Sequence, residues 1–146
     1  MIETKIFDAV TRPNGLEKNE IVNFLFEHLQ EFGDPQKDIQ KAIDYSIKEF
    51  ASFGGFTMLL KENDKIVGAT VINKTGMGGY IPENILVYIA THKEYRGQGL
   101  GNTLMQKAIA YSTGDIALHV EANNPAKDLY KKIGFTNPYL EMRLKK

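Results

Sequence analysis

The stretch that decides the fold is ILVYIATHKEYRGQGLG, which runs from Ile85 to Gly101. Its first part, Ile85–Ala90, is an uninterrupted run of apolar, strand-forming residues, which is typical of a strand buried on both faces. Its second part, Arg96–Gly101, carries three glycines within six residues. The apolar residues after the turn recur at helical spacing. The stretch therefore predicts a central strand, a glycine-rich turn and a helix.

The glycine-rich turn has the properties of an anion-binding site. The first backbone N–H groups of a helix have no partner inside it, and the helix dipole adds about half a positive charge at that end. Glycines remove the Cβ atoms that would keep a bulky anion away. A pyrophosphate would therefore fit, and Arg96 would either bind it or hold the turn. Glycine pairs also form plain tight turns, so the pattern alone leaves both interpretations open.

Two nucleotide-binding motifs are alternatives for the same turn. A dinucleotide fingerprint needs G-x-G-x-x-G in an early strand–helix–strand unit, with an acidic residue about 20 positions later. Here Gly97, Gly99 and Gly101 are evenly spaced and lie late in the chain, although Glu121 has the expected separation. The phosphate loop of NTPases does not fit, because no Gly-Lys-Ser/Thr follows.

Periodicity along the chain predicts a mixed α/β layer structure. The predicted elements are a strand at 2–10, a helix at about 16–33, a second helix capped by Asp34, a strand hairpin at 56–62 and 65–73, the strand at 85–91, a helix from 100 to near 114, a strand at 116–121, a helix at 126–133 that Asn124 caps and Gly134 ends, and one or two closing strands within 135–144. The inner face of the second helix is predicted to contain Ile39, Ile43, Ile47 and Phe50.

Length and composition limit the classes of protein to consider. The chain has 146 residues, which predicts a single domain at 1–146. Its 18 basic and 18 acidic residues cancel, so we expect neither a nucleic-acid nor a membrane-surface partner. Without cysteine there is no disulfide, thiol nucleophile or Cys-based zinc site, and no metal scaffold is visible. The acidic N-terminus does not resemble a secretory signal, so a cytoplasmic location is expected.

Two motifs in this sequence resemble those of the GNAT acyltransferases. Arg96-x-x-Gly99-x-Gly101 is similar to the Q/R-x-x-G-x-G/A pyrophosphate loop of that family. A segment at the usual distance downstream, Asn123-x-x-Ala126-x-x-Leu129-Tyr130 followed by Gly134-Phe135, is similar to its second CoA-contacting motif. The match covers residues 85–135, and the first 84 residues agree only in their predicted order of elements.

The resemblance implies a mostly antiparallel mixed sheet, flanked by helices, that splays apart between its fourth and fifth strands. It implies an N-acetyltransferase, a monomer or homodimer, that transfers the acetyl group of acetyl-CoA to a primary amine by direct attack in a ternary complex. The acceptor would be a small molecule or a peptide. The CoA-binding residues that it implies are Ile89, Ala90 and Thr91 through their backbone, then Arg96, Gly97, Gln98, Gly99, Leu100, Gly101 and Asn102 in the turn, and finally Asn123 and Tyr130.

Catalytic roles follow from the same resemblance. Tyr130 would donate a hydrogen bond or a proton to the CoA sulfur, as the matching family tyrosine does, although its helical stripe also suits a core tyrosine. Some members carry a catalytic Glu where this sequence has Ile85. Glu83 would share that face if the strand extends so far, and it would then act as the general base; otherwise it is a solvated loop carboxylate. Further candidates for the base are Tyr88, His119 and Glu121.

The acceptor decides whether a base is needed. An α-amino group, with a pKa of about 7.7 to 8, is partly neutral at cytoplasmic pH, whereas a lysine at about 10.4 is not. Acceptor specificity is expected in the first two helices and in the loop Lys74–Asn84, and acidic side chains there would favour a cationic acceptor; they are Glu27, Glu31, Asp34 and Asp38. His28 is predicted to be a core or boundary histidine rather than a ligand, and His92 to orient the loop. A non-catalytic acyl-CoA-binding or sensing module remains the alternative function.

Overall fold

The computed structural model describes residues 1–146 as five strands, four helices and two short 3₁₀ turns. In chain order they are β1 (Ile2–Phe7), α1 (Gly15–Leu29), a first 3₁₀ turn (Gln30–Phe32), α2 (Gln36–Ser46), β2 (Gly55–Glu62), β3 (Lys65–Lys74), β4 (Asn84–Thr91), a second 3₁₀ turn (Lys93–Tyr95), α3 (Leu100–Tyr111), β5 (Ile116–Leu118) and α4 (Ala126–Ile133). This order agrees with the predicted one as far as α4.

The five strands form one mixed sheet in the order β1-β2-β3-β4-β5. Neighbouring strands are antiparallel except for β4 and β5, which are parallel and joined by the crossover helix α3. The β2–β3 hairpin turns on Asn63 and Asp64, whose positive φ values of 50° and 65° suit the tight turn predicted there. The predicted fold class is confirmed.

Helices cover both faces of the sheet. On one face α1 and α2 bury residues such as Leu25 and Ile43 against β2, β3 and β4. On the other face α3 buries Leu104 and Met105, and α4 adds Tyr130 to the same cluster. None of the four helices combines the length and the apolar character needed to cross a membrane.

Two predictions about α2 are wrong. Phe50 does not lie on its inner face but is 45% exposed, because the helix ends at Ser46 and its period does not continue to that residue. Asp34 does not cap the helix either: the N-cap is Pro35, without a side-chain hydrogen bond. The carboxylate of Asp34 accepts a hydrogen bond from Tyr88 of β4 instead.

The closing strands predicted within residues 135–144 are absent. The segment after α4 has no regular secondary structure, and the side chains that alternate along it are almost fully exposed: Leu140 at 85%, Met142 at 90% and Leu144 at 86%. Alternation identifies a sequence that suits a strand, but a strand forms only where another supplies backbone partners. Here the sheet ends at β5, which is three residues long.

Candidate active site

The sheet opens between β4 and β5. The two strands pair at only three positions, Asn84 with Ile116, Ile85 with Ala117 and Leu86 with Leu118. From Val87 to Thr91 the β4 edge that faces β5 has no strand partner, which confirms the predicted splay and places its start after Leu86. Unpaired ladder groups at such an edge are free to bind another backbone or a ligand.

A β-bulge lies where this open edge begins. Val71 of β3 faces Tyr88, whereas the next residue of β3, Ile72, faces Leu86, so Val87 is an extra residue in β4. A bulge bends its strand and redirects the neighbouring backbone groups. The bulge therefore helps to turn β4 away from β5, and the predicted CoA contacts at residues 89–91 follow it directly.

The glycine turn lies at the far end of the same open edge. Gly97 and Gly99 have φ values of 83° and 77°, a conformation that side chains rarely adopt. The six backbone N–H groups of Gly97–Asn102 have no backbone acceptor, and no side chain caps α3. A Cβ atom added at Gly97 or Gly99 would meet nothing within 4 Å. This open set of donors at a helix start suits a pyrophosphate.

Arg96 holds the turn. Its Nη2 atom donates to the carbonyl oxygen of His28, at the end of α1, over 2.9 Å. The same residue of α1 is 5% exposed, as predicted for a buried histidine, and its ring Nδ1 accepts a hydrogen bond from the backbone N–H of Lys93 at 3.2 Å. The sequence left two roles open for Arg96, binding a pyrophosphate or holding the turn. The structure shows the second role.

Tyr130 lies beside the turn with an available hydroxyl. Leu129 packs 3.5 Å from the position of a Cβ atom on Gly101, which places α4 against the first turn of α3. The Tyr130 ring is 7% exposed and packs edge-on against Phe135, with the ring centroids 5.9 Å apart. Burial raises the pKa of the Tyr130 phenol, so it stays protonated at neutral pH. Tyr130 is thus both a core tyrosine and a possible proton donor.

The two asparagines before α4 have different surroundings. The Oδ1 atom of Asn124 accepts from the N–H of Ala126 at 2.9 Å, which is the predicted capping contact. Asn123 is exposed, and its side chain makes no hydrogen bond within the protein. Two further candidates, His119 and Glu121, are exposed in the segment that follows β5.

Glu83 precedes β4, at the end of the strand opposite the glycine turn. The eight steps from Glu83 to Thr91 correspond to about 26 Å of extended chain. Its Oε1 atom accepts from the N–H of Asp115 at 2.8 Å, and this bond lowers the pKa of the Glu83 carboxyl. A carboxylate stabilised in this way is a weaker base. Its role as the general base stays a prediction, and its hydrogen bond links the loops before β4 and β5.

A hydrogen-bonded pair of side chains that the sequence did not reveal joins β4 to the segment before α2. The hydroxyl of Tyr88 donates to Oδ2 of Asp34 at 2.5 Å, although the two residues are 54 positions apart. Burial first, and then the bond to Asp34, raises the pKa of Tyr88 far above its ordinary range. Tyr88 therefore acts as a donor rather than a base. It fixes the Asp34 carboxylate above the strand, next to the bulge.

The fold and this arrangement define a protein whose sheet is split at one edge and whose split edge ends in a turn with free backbone N–H groups. A sequence profile of the Acetyltransferase (GNAT) family matches residues 20–135, and the chain belongs to this family. The dinucleotide-binding interpretation of the turn does not hold, because that fold requires a mostly parallel sheet and only one pair here is parallel.

Individual proteins are similar to this chain in sequence or in fold. N-alpha-acetyltransferase 30 of Schizosaccharomyces pombe is 28% identical over 85 residues, which cover 55% of this chain and 57% of that protein. The chain thus matches little more than half the length of this relative. A GNAT family acetyltransferase from Streptococcus pneumoniae superimposes with a TM-score of 0.70 at 16% identity, covering 100% of this chain and 98% of that one. Ard1 from Thermoplasma volcanium gives 0.67 at 16% identity, with 92% and 82% covered.

Proposed function

We propose that the chain is an acetyl-CoA-dependent N-acetyltransferase that acetylates a primary amine of a small molecule or peptide by direct attack in a ternary complex. The observation that carries the proposal is the set of free N–H groups at Gly97–Asn102, which terminates the unpaired edge of β4. Acetyl-CoA would supply an acyl group already activated as a thioester. Membership of the family supports this donor.

The backbone would hold the donor at two places. The N–H groups of Gly97–Asn102 would bind the pyrophosphate, and the free edge at Ile89, Ala90 and Thr91 would bind the pantetheine arm. N–H groups on that edge are also available to stabilise negative charge that develops on the acyl oxygen. One donor in such a position typically contributes about 3 to 4 kcal/mol to catalysis.

Side chains would complete the site. Tyr130 would donate its phenolic proton, or a hydrogen bond, to the departing sulfur. Its raised pKa keeps the phenol protonated before the sulfur departs. Asn123, with an unengaged side-chain amide, would bind the pantetheine region. These assignments use groups that have no other hydrogen-bonding role in the fold.

The acceptor is inferred to be an amine that is partly neutral before it binds. Glu83 is engaged by Asp115 and Tyr88 is a donor, so neither offers a strong base. An α-amino group, with a pKa of about 7.7 to 8, needs little help to lose a proton. The Asp34 carboxylate, fixed beside the open edge by Tyr88, would attract the charged form of the amine. The relative from S. pombe is named for α-amino acetylation, which fits this choice.

Binding and turnover test the proposal separately. Thermal unfolding is measured with acetyl-CoA, CoA, NAD and ATP, since a ligand at 100 times its Kd adds about 2.7 kcal/mol of stability. We expect acetyl-CoA and CoA to raise Tm, and NAD and ATP to leave it unchanged. Release of free CoA is then followed with peptides that have a free or a blocked N-terminus, with polyamines and with aminoglycosides. Binding without release by any amine would favour the acyl-CoA-sensing module instead.

Initial rates distinguish direct attack from a covalent acyl-enzyme. The 146 residues include no cysteine, so no thiol nucleophile is available to carry the acetyl group. Direct attack predicts intersecting double-reciprocal lines when both substrates are varied. Parallel lines would indicate a ping-pong route and would contradict the ternary complex.

A further inference from the structure

The segment between β4 and the glycine turn is hydrogen-bonded to the end of α1 through one residue, His28. Arg96 donates from Nη2 to the carbonyl oxygen of His28 at 2.9 Å, and the backbone N–H of Lys93 donates to Nδ1 of the His28 ring at 3.2 Å. His28 therefore contacts both ends of Lys93–Arg96. Neither bond belongs to a helix or to the sheet, so His28 helps to set where the turn lies relative to α1.

The His28 ring is neutral in this arrangement. Since Nδ1 accepts a hydrogen bond, the ring proton must be on Nε2. The ring is buried between two others, with centroids 4.6 Å from Phe24 and 4.2 Å from His92. His92 also uses Nδ1 as an acceptor, from the N–H of Glu94. A second proton on His28 would occupy Nδ1 and break the bond to Lys93.

The charged groups around His28 oppose that second proton. Three neighbours each disfavour a positive ring, namely His92, Arg96 and Lys93. The anion that faces the ring is Glu27, with Oε2 3.7 Å from Nε2, but its side chain is 62% exposed and water screens it. Burial first, and then His92, lowers the pKa of His28 below its ordinary value. The ring is neutral at pH 7.

We propose that His28 is a positioning residue for the glycine turn, and that a proton on its Nδ1 breaks the bond to Lys93, loosens the attachment of the turn to α1 and weakens CoA binding. The inference rests on the proposed function, because it takes Gly97–Asn102 as the pyrophosphate site. The loosened arrangement leaves Nδ1 free for that proton, so the ring binds it more tightly there than in the attached arrangement. Below the pKa of the ring in the loosened arrangement, that arrangement gains on the attached one by up to about tenfold per pH unit.

His28→Asn provides the main test. The asparagine oxygen lies at about the position of Nδ1 and can accept from the N–H of Lys93, but it cannot be protonated. The Kd for CoA is measured by calorimetry for both proteins at pH 7.5 and 5.5. A CoA phosphate also titrates near pH 6, so the readout is the ratio of native to variant Kd, in which that effect cancels. We expect a ratio near 1 at pH 7.5 that increases at least threefold at pH 5.5.

Hydrogen exchange gives a readout that does not need CoA. Deuterium uptake is measured for a peptide covering residues 92–96 in the native protein and in His28→Asn. The ratio of native to variant uptake rate should be higher at pH 5.5 than at pH 7.5. His92→Asn is the matched second variant. It removes a neighbour that disfavours a positive charge on the His28 ring, so the pH dependence of CoA binding should persist with its midpoint moved upward.

Several results would overturn the inference. The first is a Kd ratio that stays near 1, or that decreases at low pH because the new positive charge attracts the pyrophosphate. The second is a pH dependence that disappears in His92→Asn and persists in His28→Asn. If His28→Asn does not fold, the inference would be overturned by a pH midpoint of CoA binding that is the same in His92→Asn as in the native protein. Failure of the native protein to bind CoA at pH 7.5 would refute the proposed function, and the exchange data would then decide the role of His28 alone.

Discussion

Replacing Gly99 with glutamate should weaken CoA binding strongly while the fold survives. Gly99 is the N-cap of α3 with φ of 77°, and a Cβ atom there meets nothing within 4 Å, so the cost to folding is backbone strain of about 1 to 2 kcal/mol. Like charges about 6 Å apart repel by roughly 0.7 to 2.8 kcal/mol, depending on the local dielectric. Two pyrophosphate charges double this figure, so the Kd for CoA should increase at least about tenfold.

Calorimetry with CoA and thermal unfolding without ligand measure the two effects, and two variants separate them. Gly79→Glu adds the same charge at a glycine with φ of 78° and open space, but in the loop before β4. It should lose a similar amount of stability and keep its CoA affinity. Gly99→Ala carries the strain without the charge, and it should bind CoA far better than Gly99→Glu. An unchanged CoA affinity in Gly99→Glu, or equal losses in Gly79→Glu, would refute the assignment of the turn as the pyrophosphate site.

Three other substitutions test the surrounding side chains. Tyr130→Phe should lower kcat at least about tenfold and leave the Kd for CoA nearly unchanged, whereas equal losses in both would make Tyr130 a packing residue. Glu83→Gln should keep most of its turnover, because Glu83 is engaged by Asp115; a loss of about a hundredfold, with a changed acid limb of the pH–rate profile, would identify it as the base. Tyr88→Phe should cost about 1 kcal/mol, or roughly 2 to 4 °C in Tm, since it loses the bond to Asp34. Because the folded protein raises the pKa of Tyr88, that residue contributes stability that is complete below about pH 10 and decreases above it, so Tyr88→Phe should show a weaker alkaline decline in Tm than the native chain.

The sequence predicted the centre of the fold better than its margins. The buried strand, the glycine turn and the helix that follows were predictable because a long apolar run, positive-φ glycines and helical spacing each have a local cause. The end of the sheet was not predictable in this way. Leu140, Met142 and Leu144 alternate as in a strand, but pairing depends on a neighbouring edge, and β5 supplies only three residues.

The candidate site shows the same difference between features with a local cause and features that depend on distant residues. The positions of the turn and of Tyr130 followed from motifs, which record local backbone requirements. The contacts that hold the site in place join distant residues: His28 with Lys93 and Arg96, and Asp34 with Tyr88. Sequence periodicity correctly predicted that His28 is buried, but it could not show which groups its ring would contact. For Asp34 the local signal was misleading. The residue has the local features of a helix cap, but its carboxylate accepts a hydrogen bond from Tyr88 of β4 instead.

The charges around β4 bear directly on the acceptor. At one end of the strand a backbone N–H stabilises the ionised form of Glu83, and near the bulge burial and Asp34 stabilise the neutral form of Tyr88. Both effects move a candidate base away from the pKa near 7 that proton abstraction at neutral pH requires. An acceptor whose own pKa is near 8 removes that requirement, whereas a lysine side chain would be neutral in only about one molecule in a thousand at pH 7.4. In the proposed mechanism the protein would then contribute mainly position, because Asp34 would attract the amine and the backbone would hold the thioester within reach. Because the geometry weakens both Glu83 and Tyr88 as bases, we expect an α-amino group to be a better acceptor than a lysine.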